Sequence, residues 1–157
     1  MANLTVTLTE NVILNGSVRG STNQLTITGI EQVMERIITI PANADTTILL
    51  TKGTVAGSDS AIDIQDTKYI RVTNLDSTNS VTLSLQIDAG EDDSSADESC
   101  SILLEPGKTF MMGTPHDAIA VSDSGPGIIT ALHDLESLLV DSGSTSGIQL
   151  EVFVASA

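Results

Sequence analysis

The sequence predicts an all-β fold: one antiparallel β-sandwich of jelly-roll type, with about ten short strands, formed by residues 1–157 as a single domain. Two observations lead to this prediction. Apolar residues alternate with Thr and Ser in short segments along the whole chain, as in strands that bury one face. Gly, Pro, Asn, Asp and Ser separate these segments roughly every 8–12 residues, which is typical of sandwiches and barrels. With 157 residues and 40% hydrophobic content, the chain can bury one core.

The first half of the chain contains several such segments. Residues 4–8 alternate apolar side chains with threonines, and residues 25–28 do so after a polar stretch at 20–23 that predicts a turn. Residues 33–40 also fit a helix, but Pro41 ends them, and their last residues alternate as in a strand. The remaining strand-like segments of this half are 46–51, 62–64 and 69–73.

The clearest pattern is a hairpin predicted within residues 71–88, RVTNLDSTNSVTLSLQID. The polar residues 74–80 are of the types that reverse a chain. After them, four apolar residues fall on every second position, with Thr82, Ser84 and Gln86 between them. We therefore expect the apolar face of this second arm to be buried and the polar face not to be. The residues expected in the core are Val81, Leu83, Leu85 and Ile87.

The second half of the chain continues the alternation, with one exception. Between residues 129 and 137 the apolar side chains also fit a helical spacing, which short apolar runs cannot distinguish from a strand. We therefore expect at most one short helical turn near residues 129–137, with a strand from Leu138 as the other interpretation. The strand-like segments of this half are 101–105, 109–112, 118–122 and 148–154.

Composition and charge disfavour several classes of partner. The formal net charge is −15, from 21 acidic and 6 basic residues, so there are too few cations to neutralise phosphates. We expect no nucleic-acid and no membrane partner. The three aromatic residues, Tyr69, Phe110 and Phe153, provide little surface for stacking on bases or sugars. A secretory signal and an apolar run of about 20 residues are not apparent, so synthesis in a cytoplasm is expected.

Residues that commonly carry chemistry are few and scattered. His116 and His133 are each followed by Asp, without GxSxG, HExxH or HxH spacing. A hydrolase needs a nucleophile beside its base, and a zinc site needs three or four ligands. Cys100 is single, and we expect a half-buried, small apolar role for it. We predict no catalytic, cofactor-binding or metal-binding residues, no cofactor and no enzymatic activity, with a turn at residues 115–117.

An acidic run lies between Asp88 and Glu98, where six carboxylates occur without a basic residue. Carboxylate oxygens are ligands that calcium prefers, but the run lacks the ligand order and central Gly of an EF-hand loop. We therefore predict that residues 91–98 form a solvated, mobile loop without a bound ion. A calcium site is the alternative.

Several stretches of the second half also carry a resemblance. The string KYIRVTNLDSTNSVTLSLQID, followed by LLEPGKTFMM, DAIAVSDS and the ending IQLEVFVAS, resembles small virion proteins of tailed bacteriophages, especially marine phages that infect cyanobacteria. The shared features are an Asn-, Asp- and Thr-rich line at residues 70–83, a Pro-Gly turn at 104–108 and a terminal strand at 150–152. The resemblance covers residues 68–157 well and the first 60 residues loosely. It implies a non-enzymatic structural role in many copies on or in a phage particle.

Residue pattern and resemblance together predict a virion structural protein. We expect a capsid decoration or cement protein that binds the assembled shell as a symmetric homo-oligomer, a trimer first and a dimer second. Its expected partner is the major capsid protein or another virion protein, and its expected location is the virion, after synthesis in the host cytoplasm. A tail adaptor or fibre-base protein is the alternative within this class. A carbohydrate- or ligand-binding β-sandwich module is the alternative from another class.

Overall fold

The computed structural model describes residues 1–52, 62–88, 98–122, 125, 127–145 and 147–157. Within these residues the chain forms thirteen β-strands and no helix, which confirms the predicted all-β class. Ten of the thirteen have four residues or more, in agreement with the predicted number. The strands are β1 Ala2–Thr9, β2 Val12–Leu14, β3 Ser17–Arg19, β4 Thr22–Ile30, β5 Gln32–Ile40, β6 Thr46–Lys52, β7 Ile62–Asp63, β8 Thr67–Asn74, β9 Val81–Asp88, β10 Glu98–Leu104, β11 Thr109–Met112, β12 Asp134–Asp141 and β13 Ile148–Ser156.

Two sheets form the sandwich. One has the strand order β10-β9-β12-β6-β7 and the other has the order β11-β8-β13-β5. Counted along the chain from β5, without the two-residue β7, the sandwich has eight strands. The second sheet then has the order 1-8-3-6 (β5, β13, β8 and β11), and the first sheet has the order 2-7-4-5 (β6, β12, β9 and β10). This interleaving is the jelly-roll order of two Greek keys. The core lies between the sheets, and its most completely buried side chains include Ile40, Ile70, Val72, Leu83, Ile87, Leu138, Ile148 and Leu150.

The predicted register of β9 is confirmed. Its burial alternates along the strand, with the four expected apolar side chains in the core and Thr82 in solvent. Ser84 and Gln86 are half-buried, because the polar face of β9 lies between neighbouring strands on both sides. The Gln86 amide donates a hydrogen bond to Ser84 Oγ at 2.7 Å. A strand in the middle of a sheet therefore keeps its polar face partly covered.

The first 30 residues form one long antiparallel hairpin, which the sequence interpretation missed. The pairing runs from Leu8 opposite Asn23 to Leu14 opposite Ser17 without a change of register. Asn15 and Gly16 form its turn, with φ of 50° and 77°. Positive φ at both central residues is the conformation that Asn-Gly supplies in two-residue hairpins.

The turn predicted at residues 20–23 is wrong, because these residues belong to the second arm of that hairpin. The Glu10 amide donates to the Ser21 carbonyl at 2.9 Å, so the two arms stay paired there. Gly20 has φ of 122°, and a Cβ at this position would lie 2.1 Å from the Glu10 carbonyl oxygen. Glycine is required here for a close approach of two backbones, not for a reversal of the chain.

Within the segment with helical spacing, residues 129–137, the structure has no helical turn, and its last four residues begin β12 at Asp134. The register of β12 shifts against β9 between Leu135 and Ser137, and against β6 between Leu138 and Leu139. At the first shift Glu136 is the extra residue of β12, and at the second shift Ile48 is the extra residue of β6. A bulge changes which positions of its own strand face the core. Leu135 and Leu138 are therefore both buried although they are three residues apart.

Two further sequence predictions concern a strand at residues 118–122 and a loop at residues 91–98. Residues 118–122 were expected to form a strand, but in them only Ile119 pairs, through an isolated bridge to His133. Of the predicted acidic loop, residues 91–97 lie outside the described part of the chain, and Glu98 is the first residue of β10.

Candidate functional site

A cluster of His116, Asp117 and Asp134 forms where the loop after β11 meets the start of β12. His116 Nδ1 lies 2.8 Å from Asp134 Oδ1, and His116 Nε2 lies 3.3 Å from Asp117 Oδ2. The Asp117 amide donates to the same Asp134 oxygen at 2.7 Å. Residues 116 and 117 form a turn, as predicted for 115–117, and Asp117 has φ of 48°. Asp134, the first residue of β12, thus holds Asp117 in the left-handed backbone conformation.

The chemistry available to this cluster is limited by its own contacts. One ligand atom from each of the three side chains lies within 4.8 Å of the others, so the three could approach one cation. However, Asp134 Oδ1 already accepts two hydrogen bonds. The second imidazole nitrogen faces a carboxylate, where a hydrolytic triad needs a hydroxyl or thiol nucleophile. The geometry favours a structural role, in which these contacts attach the loop after β11 to the start of β12.

The other two residues singled out in the sequence lie apart from this cluster. His133 takes part in the isolated bridge, where its amide donates to the Ile119 carbonyl at 2.7 Å. Cys100 was expected to be half-buried, but it is exposed. It lies opposite the buried Leu85 on the edge strand β10. Among the described strands, β10 has a neighbour on one side only, which leaves its side chains less covered than those of β9.

The Asn-rich turn at residues 74–80 and the Pro-Gly turn at residues 106–107 meet around Asn74, whose side chain is fully buried. Its amide nitrogen donates to the carbonyls of Asn79 and Leu104, at 2.9 and 3.1 Å. Its amide oxygen accepts from the Asp76 backbone at 3.0 Å. The Gly107 amide donates to the Asn74 carbonyl at 3.1 Å. Hydrogen bonds of Asn74 therefore connect the Asn-rich turn with the Pro-Gly turn. This indicates a role in stabilising the fold.

The strongest candidate for an interaction site is an open groove beside the first hairpin. It has a volume of about 440 Å³ and is lined by Leu4–Leu8 of β1 on one side and by Thr109 and Met111 of β11 on the other. Tyr69 and Phe153 lie at its base, on the outer face of the four-stranded sheet. Their rings make an edge-to-face contact at 6.1 Å between centroids.

Polar contacts fix the base of this groove. Arg71 forms an ion pair with Glu151 at 2.6 Å, donates to Thr73 Oγ1 at 2.8 Å and lies 5.8 Å from the centre of the Phe153 ring. Burial raises the pKa of the Tyr69 phenol, against a smaller lowering by the Arg71 guanidinium. Charge and hydrogen bonds thus hold the base of the groove in place, while its walls combine apolar side chains with threonines.

The wall of the groove continues into exposed apolar surface. On β1 and β4 the paired side chains of Val6 and Leu25 share one face, and the threonines share the other. This apolar face covers Tyr69 near the base of the hairpin. Farther out, Leu8 is 46% exposed and Leu25 is 55% exposed. The hairpin therefore extends beyond the surface that it covers.

Comparisons with known proteins identify no family. No family model matches the sequence, and no curated protein matches it. A solved structure from Bacillus endospore appendages, described as a novel family of disulfide-linked pili, aligns with 83% of this chain and 93% of its own. The sequence identity is 11% and the TM-score is 0.36, values too low to support a functional argument. Among the described residues, no helical segment has the length and apolar character needed to span a membrane.

Proposed function

We propose that this chain is a non-enzymatic structural protein of a phage particle, which binds the outside of the assembled shell as a symmetric oligomer. The observation that carries the assembly part of this proposal is the exposed apolar surface of the first hairpin. Of the large apolar side chains that the structure exposes, half lie in residues 1–30. Contiguous exposed apolar surface of this kind marks sites where proteins bind one another. The phage part rests on the sequence resemblance.

The groove fits a protein partner better than a carbohydrate. Sugar-binding sites use exposed aromatic faces, but Tyr69 is only 7% exposed and Phe153 is half-buried. Both rings are held against each other and against Arg71. The walls of the groove instead include flexible, apolar side chains such as Met111, which adapt to the surface of another protein.

Co-sedimentation with phage particles that lack the protein tests the proposal. We expect the purified protein to pellet with the particles in a saturable ratio and to raise the temperature at which they release their DNA. Saturation at a fixed number of copies per shell is the expected result, because a decoration protein occupies symmetry-related sites.

Two outcomes would contradict shell decoration. Protein that remains in the supernatant at every concentration does not bind the shell. Particles assembled with tagged protein that carry the tag only at the tail would favour the tail-adaptor interpretation. Both outcomes are read from the same preparation by electron microscopy.

A further inference from the structure

The tip of the first hairpin is apolar on both faces. Ile13 and Val18 lie directly opposite each other and share one face, and they are 73% and 72% exposed. Val12 and Leu14 lie on the other face and are 56% and 57% exposed. No bend of the hairpin onto its own sandwich could cover both faces at once. Whichever way the hairpin bends, one face of the tip therefore stays available to another molecule.

The distribution of charge indicates what kind of partner this is. Residues 1–30 contain one acidic and one basic side chain, Glu10 and Arg19, so the whole net charge of −15 lies in the rest of the chain. A basic partner would bind the acidic body rather than this neutral hairpin. A second copy meets the least repulsion where like charges are few, and the hairpin meets this condition.

The size of the hairpin indicates that the groove takes part. Beyond the part that covers Tyr69, the paired strands from Leu8 to Leu14 make a ribbon about 20 Å long and about 10 Å wide, so one face presents on the order of 200 Å². A stable interface needs roughly 800 Å² from each partner. The exposed part of the hairpin provides about a quarter of this, so a dimer interface also needs the adjoining groove surface.

We propose that the hairpin tip of one copy packs into the groove between β1 and β11 of a second copy. Ile13 and Val18 then lie against Leu8 and Met111, and the neutral hairpins meet while the acidic bodies stay apart. Made reciprocally, this contact closes a dimer, and made head to tail it closes a ring such as a trimer. The inference deepens the proposed function, since it rests on the chain being an assembly protein and names the surface by which copies join.

Sedimentation equilibrium of the purified protein tests this contact, with Ile13→Asp at the tip and Met111→Asp at the groove. We expect the wild type to sediment as a multiple of 16.3 kDa, and each variant to shift toward the monomer by at least tenfold in dissociation constant. Leu103→Asp is the matched control, because Leu103 is 66% exposed on β10, outside the hairpin and the groove. It should leave the mass unchanged. Circular dichroism confirms that each variant is folded.

A cross-link gives an independent measurement. With Cys100 replaced by Ser, a mixture of Ile13→Cys and Met111→Cys chains should form a disulfide-linked heterodimer under mild oxidation. A mixture of Ile13→Cys and Leu103→Cys chains should not. A wild type that remains at 16.3 kDa up to about 100 μM, or equal cross-linking in both mixtures, overturns the inference. If a monomeric wild type still co-sediments with particles, binding to the shell stands, but the oligomeric state and this contact fall. If an oligomer fails to co-sediment, the proposed function falls and the contact stands.

Discussion

Replacement of Asn74 by Ala should destabilise the fold more than any change at an exposed Asn. The side chain is fully buried and makes three hydrogen bonds, two as donor to the carbonyls of Asn79 and Leu104 and one as acceptor from the Asp76 amide. Each such bond contributes about 1 kcal/mol net, and a buried carbonyl left without a donor costs at least as much. We therefore expect a loss of about 3 kcal/mol in the free energy of unfolding.

The expected loss of stability can also be stated as a change in Tm, and a second variant separates shape from hydrogen bonding. For a domain of this length, 1 kcal/mol corresponds to roughly 2–4 °C in Tm, so Asn74→Ala should lower Tm by roughly 6–12 °C. Asn74→Asp keeps the shape but cannot donate to either carbonyl, and it adds a buried charge. It should cost at least as much as Ala.

Urea unfolding followed by circular dichroism measures these differences. Asn23→Ala is the control, since Asn23 is exposed and donates one hydrogen bond, to Ser21 Oγ. It should change the free energy of unfolding by less than about 0.5 kcal/mol. If Asn74→Ala also stays within about 0.5 kcal/mol of the wild type, the two turns do not depend on this side chain, and the connection between them is not a determinant of the fold.

Three further outcomes are expected. Leu85→Asp should cost about 3 kcal/mol or more in urea unfolding, because it buries an unpaired charge, whereas Thr82→Asp on the exposed face should cost little; equal losses would show that the register of β9 is wrong. Hydrogen bonds from the amides of Asn79 and Thr78 lower the pKa of Asp76, so the stability from this carboxylate is complete above its ordinary pKa and is lost as pH falls through the lowered one. Asp76→Asn should therefore be less stable than the wild type at neutral pH, with the difference shrinking in acid; a constant difference would contradict this. Raising NaCl from about 0.1 to about 1 M should strengthen self-association, since it screens repulsion between acidic bodies, and dissociation in salt would instead indicate opposite-charge pairing.

The sequence predicted those parts of the fold in which alternation alone decides which residues are buried. β9 has an unbroken two-residue period, and its four core positions were identified correctly. β12 was ambiguous because the bulge at Glu136 places Leu135 and Leu138 on the same side, a spacing that also fits a helix. A bulge depends on the neighbouring strands, so the local sequence of β12 does not reveal it.

The first hairpin shows a local signal that was available and missed. Asn15-Gly16 lies between two apolar stretches and is the strongest short-range indication of a two-residue turn. The sequence interpretation placed the turn at 20–23 instead, because Gly, Ser and Asn also occur there. The requirement for Gly20 arises from the approach of the Glu10 backbone, which becomes apparent only once the two arms are paired.

The contacts of the candidate sites come from residues far apart in the chain. Each His is followed by an Asp in the sequence, yet His116 Nδ1 contacts Asp134, which follows the other His. The groove joins β1 with β11, about a hundred residues later in the sequence. No spacing rule brings these positions together, because the jelly-roll order of the strands determines which loops and faces become neighbours.

The distribution of charge along the strands explains why association should use the hairpin rather than an open sheet edge. β5 is an edge strand with Val33 and Ile37 exposed, and unpaired edges of this kind invite pairing between copies. Charged residues interrupt this edge, however, since Glu35 and Arg36 lie between the two apolar positions and Glu31 precedes the strand. Charges on an edge oppose strand addition. The hairpin tip has apolar side chains on both faces and a single charge. Two copies of this strongly acidic chain can therefore bury apolar surface at the tip with little electrostatic repulsion.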